Sequence, residues 1–118
     1  MAAALAGTDP ACVAAQNLVE LYAVVTNPRR VRHPLAPAEA ARLVRLYWGS
    51  SHLGKLLPTT GVVSRFADLL AATGASGTDT FDAFLAATAL EHGVSEVYTE
   101  NTTHFERFGL RAINPFAP

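Results

Sequence analysis

Charged side chains are scarce in this sequence. Asp, Glu, Lys and Arg together make up 16% of the chain, and the formal net charge is −1. A charge so near zero gives no overall positive field that would attract nucleic acid. Any contact with phosphate groups therefore requires a local basic patch or bound cations. The low charged fraction also leaves apolar surface, which we expect a partner to cover.

Cysteine occurs once, as Cys12 in the apolar stretch ACVAA. No internal disulfide can form, which agrees with a reducing compartment. No helix start or basic neighbour activates this thiol, so we expect Cys12 to be a small buried side chain. No segment is apolar for long enough to span a bilayer, and MAAALAG lacks the basic flank and the length of a signal peptide. These features predict a cytoplasmic protein.

Several reactive motifs are missing as well. The stretch GASGTD (74–79) has the wrong spacing for a glycine-rich phosphate loop, and no nucleophilic serine or cysteine motif occurs. No second histidine stands at ligand spacing from His104, so we interpret His104 as a surface histidine or a neighbour of a site rather than a zinc ligand. The candidate reactive side chains that remain are carboxylates.

Hydrophobic residues make up 50% of the 118 residues, enough for one compact domain over residues 1–118. Apolar spacing and turn residues predict short strands alternating with longer helices. The strands are expected near 11–15, 55–58, 95–99 and 110–114, and the helices near 17–25, 37–48, 60–72, 79–92 and 102–105. This alternation indicates an α/β domain with a mainly parallel sheet. Ligands of such sheets bind at the carboxyl ends of the strands.

Glu20, Asp79, Asp82 and Asn101 follow a predicted strand or begin a helix. Glu20 is the only charged residue between Pro10 and Pro28. A buried carboxylate there needs a cation, whereas the alternative is that Glu20 faces solvent on an apolar helix.

The two aspartates allow two interpretations. An acid at a helix start is stabilised by the helix dipole and can cap the helix. The second is surplus, and Asp82 is the better functional candidate because it shares a helix face with Ala86 and Ala89. Asn101 is either a ligand or the cap of a short helix. Thr99 either offers a hydroxyl group to phosphate or only ends a strand.

Carboxylates without histidine or cysteine favour Mg²⁺ or Mn²⁺ over zinc. Acids that converge at strand ends suit metal-assisted phosphodiester hydrolysis. Arg29, Arg30 and Arg32 form the only basic cluster. It is either a solvated loop or a contact with RNA phosphates or with an acidic partner.

Three stretches together resemble PIN-domain ribonucleases, and are most similar to the VapC toxins of toxin–antitoxin operons. They are NLVELYAVVTNP (17–28), DTFDAFLAATALEHGV (79–94) and VYTENTTHFERFGLRAINP (97–115). The resemblance implies a PIN-like three-layer α/β/α fold and Mg²⁺- or Mn²⁺-dependent endoribonuclease activity. It implies Glu20 and Asp82 as metal ligands and catalytic residues and Asn101 as a catalytic residue, with Asp79 and Thr99 as secondary candidates. It also implies RNA as substrate, a homodimer and a cognate antitoxin.

Two positions depart from the family pattern. Asn101 stands where the family has its fourth acid, and an amide is a weaker ligand than a carboxylate. The family's first strand, which ends in an Asp-Thr-Asn turn, has no counterpart, and Asp9 does not fit it. We therefore expect a chain that is incomplete at its N-terminal end relative to the family. Its sheet should lack the central strand, which opens two sheet edges, and its nuclease activity should be weak. The rival interpretation is a non-catalytic PIN-like protein that keeps a dimerisation or antitoxin-binding surface. A third is an unrelated small α/β ligand-binding domain.

Overall fold

The structure, a computed structural model, describes residues 11–99 and 102–114 and the backbone of residues 4–6. These residues contain five strands and five helices, whose bounds follow in chain order. The elements are β1 (Ala4–Ala6), β2 (Cys12–Ala14), α1 (Ala15–Val25), α2 (Pro37–Trp48), β3 (Gly54–Leu56), α3 (Val62–Thr73), α4 (Asp79–Glu91), β4 (Glu96–Tyr98), α5 (Thr102–Glu106) and β5 (Arg111–Ile113). The α/β class is confirmed, and each predicted helix and strand lies where the sequence places it, to within about two residues at each end.

The strands form one sheet in the order β3-β2-β1-β4-β5. β2 and β3 are parallel, and so are β4 and β5. β1 lies between these two pairs and is antiparallel to both of its neighbours. Four of the strands therefore run in one direction, as predicted, while the central strand opposes them.

The expected gap in the centre of the sheet is therefore wrong, because β1 fills it. Sequence analysis found no strand in residues 1–7, whose alanines and glycine have low strand propensity. The direction of β1 follows from its position in the chain. Residues 7–11 alone connect β1 to β2, and a parallel crossover needs about a dozen residues or more, whereas an antiparallel pair needs only a short loop. The two predicted open edges do not occur between β2 and β4. The predicted turn at 8–10 lies outside the described residues.

The core lies on one face of the sheet, beneath α4. Helix α4 buries four alanines completely, and these small side chains allow close packing against its neighbours, which include α3, α5 and β2; they are Ala83, Ala86, Ala87 and Ala89. Ala14 and Val97 face α4 from the sheet. Helix α3 covers the outside of α4, with Phe66 edge-on to Phe84 at 5.4 Å between ring centroids.

Local sequence sets the ends of the helices. α3 ends where Gly74 adopts a positive φ of 70° and donates its N–H to the Leu70 carbonyl at 2.8 Å. Pro37 is the first residue of α2, a position where its missing N–H costs nothing. α1 begins directly after β2, where Asn17 Oδ1 accepts the backbone N–H of Ala14 at 2.9 Å. This junction places the second turn of α1 at the carboxyl end of β2. Within the described residues, no helix is long and apolar enough to cross a membrane.

Candidate functional site

Glu20 lies in the second turn of α1 and is half-buried. Burial raises the pKa of Glu20 above its ordinary value of 4.5, a hydrogen bond from Gln16 lowers it, and the charge of Asp82 raises it again. Asp82 contributes to the raised pKa of Glu20 although 62 positions of sequence separate the two residues. The alternative in which Glu20 simply faces solvent does not describe this environment.

Asp82 lies in the first turn of α4 and is also half-buried. Burial raises its pKa above the ordinary 3.8, and this outweighs the lowering by the hydrogen bond from His104 and by the positive charges of His104 and Arg107. Both carboxylates thus have raised pKa values mainly because desolvation disfavours their charged forms. Each would gain from a nearby cation.

Asp79 has a different environment from Asp82. Its Oδ2 accepts a hydrogen bond from Arg107 at 3.0 Å, and its Oδ1 lies 3.4 Å from His104 Nδ1. The same imidazole nitrogen lies 3.4 Å from Asp82 Oδ2. Thr78 is the N-cap of α4 and makes no side-chain capping bond, and both aspartates lie in the first turn of the helix. His104 and Arg107 bring the segment after β4 onto the first turn of α4.

Three ligand atoms from Asp79, Asp82 and His104 lie within 4.8 Å of one another. Carboxylate oxygens suit Mg²⁺ and Mn²⁺, whereas imidazole is a ligand of transition metals. Asp79 already pairs with Arg107, so of the two aspartates Asp82 has the carboxylate that is freer to bind a cation. This group of three fits a divalent cation by its geometry, and Glu20 is not part of it among the described residues.

Gln16 connects the two helices that carry these acids. Its Nε2 donates to Glu20 Oε1 at 3.0 Å and to the backbone carbonyl of Phe81 at 2.6 Å. Its Oε1 is buried and has no hydrogen-bond partner in the described part of the chain. Beside this bridge lies an apolar cavity of about 430 Å³ between α1, α3 and α4. Its lining consists of Ala15, Gln16, Val19, Pro58, Phe66, Thr80, Phe81 and Phe84.

The remaining predicted site residues are Thr99, Asn101 and the three arginines of the basic cluster. Thr99 follows β4 and is buried, with its N–H donated to the Ile113 carbonyl at 2.9 Å. Asn101 lies outside the described residues. Arg29, Arg30 and Arg32 are all exposed in the loop between α1 and α2.

Sequence reasoning did not find the roles of Gln16 and Arg107, and it left His104 beside the site rather than in it. Gln16 stands four positions before Glu20 on a helix, a spacing at which side chains meet, so this partner had a readable signal. The pairing of Asp79 with Arg107 joins residues 28 positions apart and had no such signal.

A second cavity, of about 660 Å³, lies between α1 and α2 and has an almost wholly apolar lining. It includes Leu18, Val19, Tyr22, Val44 and Trp48. On the neighbouring surfaces, Leu46 of α2 and Val63 of α3 are 69% and 65% exposed. This apolar surface is consistent with the low charged fraction of the chain.

Comparison with known proteins places these features in a family. The sequence model of the PIN domain matches residues 1–109. The chain is 32% identical over 108 residues to Ribonuclease VapC24 of Mycobacterium tuberculosis, in strain CDC 1551 / Oshkosh and in strain ATCC 25618 / H37Rv. Each match covers 92% of this chain and 74% of the relative. The chain belongs to the PIN-domain family.

Proposed function

We propose that this protein is a VapC-type endoribonuclease that cleaves RNA phosphodiester bonds with Mg²⁺ or Mn²⁺. The observation that carries the proposal is the cluster of Asp79, Asp82 and His104, whose ligand atoms lie within 4.8 Å of one another. The half-buried Glu20 is linked through Gln16 to the backbone next to Asp82. The similarity to Ribonuclease VapC24 supports the choice of RNA as substrate.

Glu20 and Asp82 are the proposed metal ligands, and Asn101 is the third proposed catalytic residue. A divalent cation held there would neutralise the scissile phosphate, lower the pKa of the attacking water and stabilise the leaving oxygen. Asp79 and Thr99 remain secondary candidates. Because Asp79 is paired with Arg107, its proposed part is to position His104 and Arg107 beside Asp82 rather than to bind the cation.

The exposed Arg29, Arg30 and Arg32 are the proposed contact with RNA phosphates or with a partner. If they contact RNA, replacing all three by Ala should weaken binding of a single-stranded RNA at low salt. It should also reduce the slope of log K against log salt by about 0.7 for each phosphate that the arginines neutralise. An unchanged slope would assign the cluster to another partner.

A cognate antitoxin and a second copy of this chain are the proposed protein partners. The exposed Leu46 and Val63, on two helices within residues 37–72, are the proposed part of the self-association surface. Light scattering should report a dimer, and replacing both by Lys should convert it to a monomer. A wild-type monomer at high concentration contradicts this part of the proposal.

An RNA cleavage assay tests the activity itself. Wild-type protein should cleave a labelled single-stranded RNA with Mn²⁺ or Mg²⁺, and EDTA should stop the reaction. Asp82→Asn and Glu20→Gln should each abolish the cleavage, because each removes one anionic ligand without changing shape. Thr73→Val, which removes side-chain hydrogen bonds at the end of α3, is the matched control. Cleavage that persists in Asp82→Asn would place the chemistry elsewhere.

One observation favours the second candidate, a non-catalytic PIN-like protein that retains a dimerisation or antitoxin-binding surface. Since Asp79 is held by Arg107, only Glu20 and Asp82 remain as free anionic ligands among the candidate acids of the described residues. Mg²⁺ loses its water reluctantly and binds weakly to few carboxylates. A stable dimer with no calorimetric Mn²⁺ binding and no cleavage would support this candidate.

A further inference from the structure

We propose that Gln16 is a positioning residue that sets the separation between the metal-binding carboxylates of α1 and α4. This inference rests on the proposed function, because it concerns the same pair of acids. Gln16 Nε2 donates hydrogen bonds to Glu20 Oε1 and to the Phe81 carbonyl oxygen, at 3.0 and 2.6 Å. Phe81 directly precedes Asp82, so Gln16 joins the Glu20 side chain to the backbone that carries Asp82.

Next to Gln16, α1 and α4 line an open apolar groove rather than a packed contact, since Val19 and Phe81 are 69% and 63% exposed. An apolar cavity of about 430 Å³ lies between the two helices, lined by Ala15 and Val19 on one side and by Phe81 and Phe84 on the other. A groove open to solvent provides fewer contacts to fix the relative position of two helices than a close-packed interior does. Gln16 spans the edge of this groove with two hydrogen bonds.

The orientation of the Gln16 amide is fixed by its partners. Both neighbours of Nε2 are oxygen acceptors, one in a carboxylate and one in a carbonyl, so the reversed orientation would place oxygen against oxygen. In the observed orientation Oε1 is buried, and no partner for it lies among the described residues.

A ligand carboxylate needs a defined position, because the cation accepts only a narrow range of ligand distances. The hydrogen bond from Gln16 occupies one oxygen of Glu20 and limits rotation of the carboxylate. Groups that orient metal ligands in this way change metal affinity about 10- to 100-fold when they are removed. Gln16 does not touch the cation or the RNA in this proposal.

The test compares Mn²⁺ binding, measured by calorimetry without RNA, in four variants. Gln16→Met keeps the length and flexibility of the side chain but has no donor, and we expect its Kd for Mn²⁺ to rise about 10-fold or more. Gln16→Asn keeps the amide on a shorter stem that does not span both acceptors, and should show a similar loss. Thr73→Val loses hydrogen bonds far from the site and should bind Mn²⁺ like the wild type. Glu20→Gln is the reference for loss of the ligand itself.

These variants separate failure of the inference from failure of the proposed function. If Glu20→Gln weakens Mn²⁺ binding but Gln16→Met does not, the positioning role is overturned and the metal site stands. If Glu20→Gln has no effect, the proposed metal site fails. In cleavage assays, a higher Mn²⁺ concentration should restore the rate of Gln16→Met, which a general structural defect does not allow.

Measurement on the wild-type chain provides an independent check. The two Nε2 protons of Gln16 should give separate NMR resonances protected from exchange, with contacts to Phe81 and shifts on Glu20→Gln. A rapidly exchanging amide with no such contacts would overturn the proposal even if the variants failed to fold.

Discussion

Replacing the two aspartates of the first turn of α4 one at a time should change the stability of the metal-free protein in opposite directions. Asp79→Asn removes a charge that pairs with Arg107 at 3.0 Å, between side chains that are 30% and 36% exposed. Partly exposed ion pairs contribute about 0.2–1 kcal/mol. We therefore expect Asp79→Asn to lower the free energy of unfolding by that amount and Tm by about 1–4 °C.

Asp82→Asn should instead raise Tm at neutral pH. The folded-state pKa of Asp82 lies above its ordinary value of 3.8, mainly because of burial, so its ionised form costs stability. This cost is present above the folded-state pKa and disappears as the pH falls through it, because the carboxyl group is then protonated. The Tm advantage of Asp82→Asn should therefore shrink on acidification toward pH 4. An amide oxygen can still accept the hydrogen bond from His104.

Mn²⁺ should reverse the order of the two variants. A cation that binds only the folded state at 100 times its Kd adds about 2.7 kcal/mol of stability. Wild-type protein and Asp79→Asn should keep most of this gain, whereas Asp82→Asn should lose it. Thermal unfolding followed by circular dichroism, with and without Mn²⁺ and at several pH values, measures all of these effects. If Asp79→Asn loses the Mn²⁺ response and Asp82→Asn keeps it, the assignment of the two acids is wrong.

Three further predictions concern the frame around the site. Glu91→Gln should lower Tm at neutral pH but not in acid. The hydrogen bond from Arg65, at 2.6 Å, helps hold the pKa of Glu91 below its ordinary 4.5. This stabilisation is lost as the pH falls through the folded-state pKa of Glu91. Gly54→Ala should lower the free energy of unfolding by about 1–3 kcal/mol, because a Cβ there would lie 2.9 Å from Cys12 Sγ. Adding Cys12→Ala should recover most of this loss. If chemical denaturation shows that the effects of the two substitutions simply add, the predicted clash is contradicted. Phe105→Ala should cost about 3–5 kcal/mol and also weaken Mn²⁺ binding, since this buried ring lies directly after His104; a loss below about 1 kcal/mol would contradict its core position.

The helices were predictable because their signals are local. Apolar spacing and Gly or Pro residues at their ends define α2, α3 and α4, and the structure changes only their terminal residues. β1 was not predictable from such signals, since three residues with low strand propensity become a strand only because β2 and β4 leave a place between them. Tertiary pairing, not local preference, makes this strand.

The acids of the candidate site were predictable as individuals but not as a network. Strand-end positions selected Glu20, Asp79 and Asp82 from the sequence. Which of the two aspartates is free depends on Arg107 and His104, and these contacts appear only when α5 and its following turn pack against α4. The sequence contains the residues, while the distances between them come from the fold.

The antiparallel direction of β1 has different consequences for the sheet and for the candidate site. Ala4 pairs with Tyr98 and Ala6 with Glu96, so the carboxyl end of β1 points away from the sheet edge where β2 leads into α1 and β4 into Thr99. A parallel strand in this place would bring its last residue to that edge, as the resemblance to the family expects. β1 therefore closes the sheet with its carboxyl end at the opposite end of the strands. Under the proposed function, cation binding depends on how well Glu20 and Asp82 are held. The hydrogen bonds of Gln16 should therefore matter for cation binding, because they connect the Glu20 side chain to the backbone that carries Asp82.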